Sequence, residues 1–166
     1  MNMASRSYLD SPLGLIEISG DETGITSVLF ENKSGVSRLN EAQLHEINAH
    51  VKKCRDQLLE YFDGKRQQFD LEFSLKGTDF QKTVWQELIK IPFGKTISYA
   101  GLSQRLGNQA AIRAAASANG KNTINIIIPC HRVIGSDGSL TGYGGELWRK
   151  QWLLEFEEGN RQLSLF

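Results

Sequence analysis

Ile126-Ile127-Ile128-Pro129-Cys130-His131-Arg132-Val133 is the stretch from which the rest of the chain is read. The continuous apolar run predicts a buried strand. Pro129 stops it, because proline lacks an N–H and disfavours helix in the residue before it. Cys130 is therefore expected at the end of a rigid element, where the chain turns. A cysteine taken at random is most often an inert core residue. The charged neighbours His131 and Arg132 argue otherwise here, since a nearby cation lowers a thiol pKa and raises the thiolate fraction.

Downstream, Gly135-Ser136-Asp137-Gly138-Ser139-Leu140-Thr141-Gly142-Tyr143-Gly144-Gly145 is a glycine-rich loop. It lacks the Lys-Ser/Thr ending of a phosphate loop, so it reads as a wall that bends around a ligand. Residues 146–158 predict a closing helix that buries Leu147, Leu154 and one of Trp148 and Trp152, with Gly159 as its stop.

Upstream, Thr78-Asp79-Phe80-Gln81 has the pattern of a capping box, opening a helix whose apolar stripe is Phe80, Val84, Leu88 and Ile91. Pro92-Phe93-Gly94 ends it. Ser98 caps a short helix over 99–106, Gly107-Asn108 turns, and residues 109–118 form a second short helix, which together make a helix-turn-helix. The second helix is nearly all small residues around one arginine, Arg113. Alanine is the best helix former, so tight packing alone would explain this. Small side chains also let a helix approach another surface closely. A major-groove reader presents several base-reading side chains; this helix presents almost none, so it is expected to bind DNA in a narrow groove without reading much sequence.

The first half is organised differently. Residues 13–19 and 25–30 predict a β-hairpin around a Gly20–Gly24 turn, with residues 6–9 as a further strand. Residues 41–62 predict an amphipathic helix with the stripe Leu44, Ile47, Val51, Cys54, Leu58 and Phe62. Cys54 lies on that stripe and is assigned to the core. Residues 63–77 read as a connector with one short strand at 69–75. The expected fold is thus an α/β N-terminal domain, a small antiparallel sheet plus helix, over 1–76. A mostly α domain with a helix-turn-helix follows over 77–160, and a tail over 161–166.

Composition narrows the class. The 166 residues are 40% hydrophobic and 23% charged, ordinary for a soluble globular protein. No run approaches a membrane span, and the first residues lack a signal-peptide core, so a cytoplasmic location is expected. Two cysteines and three histidines without a Cys-x-x-Cys suggest no metal site, and no cofactor is expected. Net charge is zero, but residues 80–154 carry 9 Lys+Arg against 3 Asp+Glu. A local anionic partner follows, nucleic acid first.

Pro129-Cys130-His131-Arg132-Val133, with the helix-turn-helix before it and the glycine-rich loop after it, resembles the O6-alkylguanine-DNA alkyltransferase family. The resemblance implies a ribonuclease H-like N-terminal domain and a winged-helix-like C-terminal one. It implies that double-stranded DNA carrying O6-alkylguanine, with O4-alkylthymine as a further candidate, gives its alkyl group to Cys130 in a single turnover. The base would be flipped out from the minor-groove side. Cys130 would be the acceptor, His131 the base acting through a water, Glu157 the acid that orients it, and Asn122 the hinge asparagine. Tyr143, Val133 and the backbone of Gly144 and Gly145 would form the guanine pocket. Tyr99 would turn the target phosphate and Arg113 would fill the gap in the helix, with Ala114, Ser117 and Arg132 on the DNA side. Gly144, where the family often has Ser, and Asn125, where some members have Pro, are departures that bear on which alkyl groups fit.

Gln162-Leu163-Ser164-Leu165-Phe166 resembles the peptide by which bacterial proteins dock on the DNA sliding clamp, with Gln162, Leu163, Leu165 and Phe166 as the contacts. The molecule is otherwise expected to be a monomer. Two rivals share parts of the pattern. A Cys-His hydrolase shares the nucleophile–base pair. An alkyltransferase-like lesion-binding protein shares the DNA-binding half but lacks the cysteine that this chain keeps.

Overall fold

The computed structural model describes residues 5–31 and 47–163, the last three of these in backbone only. The chain divides into two compact units, Met1–Lys76 and Gly77–Phe166.

In the first unit, β1 (Ser5–Ser11), β2 (Gly14–Gly20) and β3 (Ile25–Phe30) form an antiparallel meander in the order β1-β2-β3. The register sets Leu9 opposite Ile16 and Ile18 opposite Val28. These four are buried on one face, as a period-2 pattern requires of a half-covered sheet. Helix α1 (Ala49–Phe62) covers that face. Asn48 caps it by accepting the Val51 N–H at 2.9 Å. Val51, Cys54, Leu58 and Tyr61 are its fully buried apolar residues. Tyr61 thus takes the place expected of Phe62, which is half-buried. The start of the expected helix, residues 41–46 with Leu44, lies outside the described residues.

The strand expected at 69–75 is reduced to one parallel bridge between Ile25 and Phe73. Two backbone bonds make it, Ile25 N–H to Glu72 O at 2.9 Å and Ser74 N–H to Ile25 O at 2.8 Å. The Gln57 side chain holds the connector instead, exchanging two bonds with the Asp70 backbone. Gly24 is required at the crossing, because a Cβ there would stand 2.5 Å from the Glu72 carbonyl oxygen.

The second unit opens with α2 (Asp79–Ile89), started by the capping box: Thr78 Oγ1 accepts the Gln81 N–H, and Gln81 Oε1 accepts the Thr78 N–H. Val84, Trp85 and Leu88 are its buried residues, while Phe80, expected in the stripe, is exposed. Trp85 replaces it because its Nε1–H reaches the Ala118 carbonyl at 2.9 Å. A two-residue strand, β4 (Ile97–Ser98), pairs in parallel with β5 (Val133–Ile134). Between them lie α3 (Tyr99–Arg105), capped by Ser98, a 3-10 turn (Gln109–Ala111) and α4 (Ile112–Gly120). These form the helix-turn-helix.

Helix α5 (Leu147–Leu163) closes the unit. It runs through Gly159, which was expected to stop it. Gly159 is exposed there, and a mid-helix glycine costs only about 1 kcal/mol. Of the residues expected in the core, Leu147 is 49% exposed, as is Trp148, while its alternative Trp152 and Leu154 are half-buried; Leu153 is the buried apolar residue of the helix among the described side chains. Of the tail, Gln162 and Leu163 continue the helix, and residues 164–166, with Leu165 and Phe166, lie outside the described residues. Among the described residues no helix is long and apolar enough to cross a membrane.

Candidate active site

The isoleucine run is buried but is not a strand. Ile124, Ile126, Ile127 and Ile128 sit in a succession of turns, with Ile126 at φ 72°. Positive φ on a β-branched residue is strained and persists only where its surroundings enforce it. The enforcing group is the Asn122 side chain. Its Oδ1 accepts the Ile124 N–H at 2.9 Å, and its Nδ2 faces the carbonyls of Ile124 at 3.2 Å and Ile128 at 2.9 Å. This amide and the turns' own bonds, which pair the N–H groups of Ile127, Ile128 and Cys130 with the carbonyls of Asn125, Ile124 and Ile128, together satisfy buried backbone that a neighbouring strand would otherwise have to pair.

This turn delivers Cys130 into a 3-10 helix (Cys130–Arg132) after Pro129. Asn122 Nδ2 also lies 3.3 Å from Cys130 Sγ, and Asn125 Oδ1 lies 4.0 Å from it. Asn119 Nδ2 donates to the Cys130 carbonyl at 3.3 Å.

Behind the thiol, His131 Nε2 and Glu157 Oε2 are 2.9 Å apart, both buried. His131 Nδ1 is buried and has no hydrogen-bond partner among the described residues. Arg132 binds Glu157 as a fork, Nε to Oε1 and Nη2 to Oε2 at 2.8 Å each, and donates Nη1–H to the Ile91 carbonyl at 2.7 Å. Arg132 was expected to face DNA. It is 5% exposed and wholly engaged, because a buried carboxylate needs a buried counter-charge. Burial alone would raise the Glu157 carboxyl, but His131 and Arg132 outweigh it and hold it well below the usual carboxylate range. Burial lowers His131 against the pull of Glu157, so its imidazole is neutral at pH 7.

The expected activation of the thiol by adjacent cations is not what the geometry provides. Burial pushes Cys130 up to about 11, so at rest it is a thiol and not a thiolate. The Asn122 bond and the charge of Lys150 act the other way. Lys150, fully buried on α5, donates to the Thr141 carbonyl at 2.7 Å and reaches Tyr99 Oη at 3.5 Å. Burial lowers it to about 8. Lys150 was missed in the sequence. The signal was present, because Lys150, Leu153 and Glu157 recur at three- and four-residue steps and share the buried face of α5.

Outside this cluster, Ala116, Ser117 and Gly120 of α4 face Thr141, Gly142, Tyr143, Gly144 and Leu147 across an open groove of about 530 Å³. Tyr143 is buried, and burial keeps its phenol protonated well above the ordinary value. Gly144 is exposed along the groove, Gly145 is buried, and Val133 is buried in β5. Tyr99 Oη donates to Thr141 O at 2.8 Å, which ties the start of the helix-turn-helix to the groove wall. Arg113, Ala114 and Ser117 are exposed on α4. No group of His, Cys, Asp and Glu among the described residues has a metal-holding arrangement.

A sheet-and-helix unit followed by a helix-turn-helix unit, with a buried Cys beside a His–Glu pair, sets the class: a two-unit protein that combines a DNA-binding motif with a buried thiol cluster. The family model for the 6-O-methylguanine DNA methyltransferase ribonuclease-like domain matches residues 5–75, and that for the DNA binding domain of the same enzyme matches residues 79–159. Methylated-DNA--protein-cysteine methyltransferase of Methanosarcina barkeri is 44% identical over 153 residues, 92% of this chain and 96% of its own. The enzyme of that name from Mycobacterium tuberculosis is 40% identical over 164 residues, 95% of this chain and 94% of its own. The crystal structure of Mycobacterium tuberculosis O6-methylguanine methyltransferase superposes with a TM-score of 0.81 at 39% identity, covering 95% of this chain and 94% of that one. The crystal structure of Mycobacterium tuberculosis OGT in complex with DNA superposes equally well, at 0.81 and 39% identity over 93% of each chain. The chain belongs to the O6-methylguanine DNA methyltransferase family.

Proposed function

We propose that this protein repairs DNA by transferring an alkyl group from O6 of guanine to Cys130 Sγ, once per molecule. The observation that carries the reading is the buried Cys130–His131–Glu157 cluster, with Asn122 on the thiol, in a chain of this family. Glu157 holds the His131 ring through Nε2–H and leaves Nδ1 to accept the thiol proton through a water. The sulfur then attacks the alkyl carbon, an S–C bond forms, the C–O6 bond breaks, and the base recovers the proton as guanine. A general base is needed because the resting thiol is protonated, and such a base contributes about 10²–10⁴-fold. Lys150 offsets the charge that develops on sulfur. The product is a thioether, which water does not cleave, so no turnover follows.

O6 lies inside the base stack, so the nucleotide has to be extruded, at a few kcal/mol. Exposed Arg113, flanked by small residues on α4, is suited to fill the space left behind, with Ala114 and Ser117 allowing close approach. Tyr99 is suited to turn the target phosphate. The groove beside Tyr143 and Gly144 is the room for the flipped base, with Val133 and Gly145 behind it, and O4-alkylthymine is a second candidate there. The reading carries with it a cytoplasmic monomer, one chain to one lesion.

Incubation with an O6-methylguanine duplex, followed by intact-mass measurement and peptide mapping, tests the reading. One methyl per chain on the Cys130 peptide is expected. No gain, with turnover of an ester instead, would replace it by the Cys-His hydrolase. We propose further, on sequence alone, that residues 162–166 dock on a bacterial sliding clamp. Deleting them should abolish binding of purified clamp, and equal affinity with and without them sinks the idea.

A further inference from the structure

Helix α4 has two faces. Arg113, Ala114 and Ser117 are exposed, while Ala115, Ala118 and Asn119 are buried. On a buried stripe of alanines the amide is out of place. Asn119 is 1% exposed, and its Nδ2 donates to the Cys130 carbonyl at 3.3 Å. That carbonyl also accepts the Val133 N–H, so both of its lone pairs are used. The other end of the amide, Oδ1, is buried with no hydrogen-bond partner among the described residues. A leucine would fill nearly the same volume without desolvating an unpaired oxygen. Stability alone therefore does not favour asparagine at this place. Three residues further on, past the end of α4, Asn122 meets the other end of the same residue, at Sγ. The two asparagines grip the acceptor at its backbone and at its thiol.

We infer that Asn119 is a positioning residue for alkyl transfer: it ties the backbone of Cys130 to the helix that carries the DNA-facing residues. It thereby sets where the sulfur stands relative to bound DNA. The inference rests on the reading of Cys130 as the acceptor. Attack at carbon needs sulfur, carbon and the departing oxygen in line, and a misplacement of about 1 Å costs about 10²-fold. Asn122 orients the thiol within its frame, whereas Asn119 fixes the frame to α4. A small electrophile in solution needs no such registration with DNA, and this separates positioning from reactivity.

The test compares wild type with Asn119→Leu and Asn119→Ala, each of which removes the donor to the Cys130 carbonyl, the first keeping the volume and the second not. In both variants the single-turnover transfer rate constant at saturating O6-methylguanine duplex should fall at least about tenfold. The half-saturating duplex concentration and the rate of Cys130 labelling by iodoacetamide should stay within about twofold of wild type. The thermal midpoint of the Leu variant should not fall. Where the Leu variant does not fold, the Ala variant decides alone. Transfer within about twofold of wild type in both variants overturns the inference. So does a loss matched by slower iodoacetamide labelling, which would make Asn119 a support of the thiol and not of its position. A wild-type protein that gains no methyl from the duplex removes the underlying reading, and the inference with it.

Discussion

Cys54 and Cys130 are both free and both buried, and burial pushes both thiols upward, to about 12 and about 11. Their difficulty in ionising therefore does not separate them; the company they keep does. Cys54 sits on the stripe of α1 among Val51, Leu58 and Tyr61, and burial is the sole influence on its thiol. Cys130 stands at a strained turn with an amide on its sulfur, an amide on its carbonyl, a buried lysine near it and a neutral histidine beside it. A buried thiol becomes useful when its proton has somewhere to go and its charge has something to meet. In this molecule burial alone acts on Cys54, whereas Cys130 has a neutral imidazole next in the chain and the charge of a buried lysine acting on it.

The sharpest break of that comparison is to exchange the roles by mutation. Cys130→Ser should abolish methyl gain from an O6-methylguanine duplex while duplex binding is retained, and Cys54→Ser should keep methyl gain at one per chain. Intact mass and a binding titration read both. Methyl on Cys130→Ser protein would move the acceptor elsewhere. Next in size is Glu157→Gln. It leaves Arg132 buried against a neutral amide, and breaking a buried pair from one side costs about 3–5 kcal/mol. It also removes the group that holds His131, so transfer should slow about 10²-fold or more. Urea denaturation and single-turnover kinetics measure the two losses. Stability unchanged within about 1 kcal/mol would mean that the network is not closed as described.

Lys150→Met sharpens the electrostatic half of the contrast. The lysine is pulled down to about 8 by burial, so at pH 7 the folded state holds its charge less readily than the unfolded chain does. Methionine relieves that, and the denaturation midpoint at pH 7 should stay level or rise. Transfer should nevertheless slow about tenfold, and the pH midpoint of Cys130 labelling by iodoacetamide should move upward. A variant that is less stable and equally reactive would make Lys150 a structural residue only.

Much of this contrast was legible in the sequence, and what was not has definite causes. Helical stripes and caps are local, so α1, α2 and the helix-turn-helix follow from spacing alone, as does the core place of Cys54. The isoleucine run misled because apolarity reports burial, not backbone conformation: Asn122 and local turn bonds satisfy the buried peptide groups, where a strand would have used a neighbour. Arg132 misled because its partner, Glu157, is distant in sequence and brought close only by α5. Leu147 and Leu154 were expected inside because they are large and apolar, yet the buried face of α5 is set by Arg149, Lys150, Leu153 and Glu157. Burying charge on that face is unfavourable for stability, and the thiol beside it is what makes sense of it.

The smallest effect tests the quiet cysteine. A thiol with a folded pKa near 12 against an unfolded value of about 8.5 favours the folded state most where both are protonated. That contribution is full below about pH 8.5 and is lost as pH rises through 12, because the unfolded chain releases its proton first. Cys54→Ala removes the contribution together with one buried sulfur, so at pH 7 the variant should be about 1–2 kcal/mol less stable. Above pH 8.5 the gap between wild type and variant should narrow, by at most about 1.4 kcal/mol per pH unit. Urea denaturation at pH 7, 9 and 10 follows it. A gap that stays constant would show that Cys54 is not held in its neutral form by burial, and the contrast between an inert thiol and a serviced one would lose its first half.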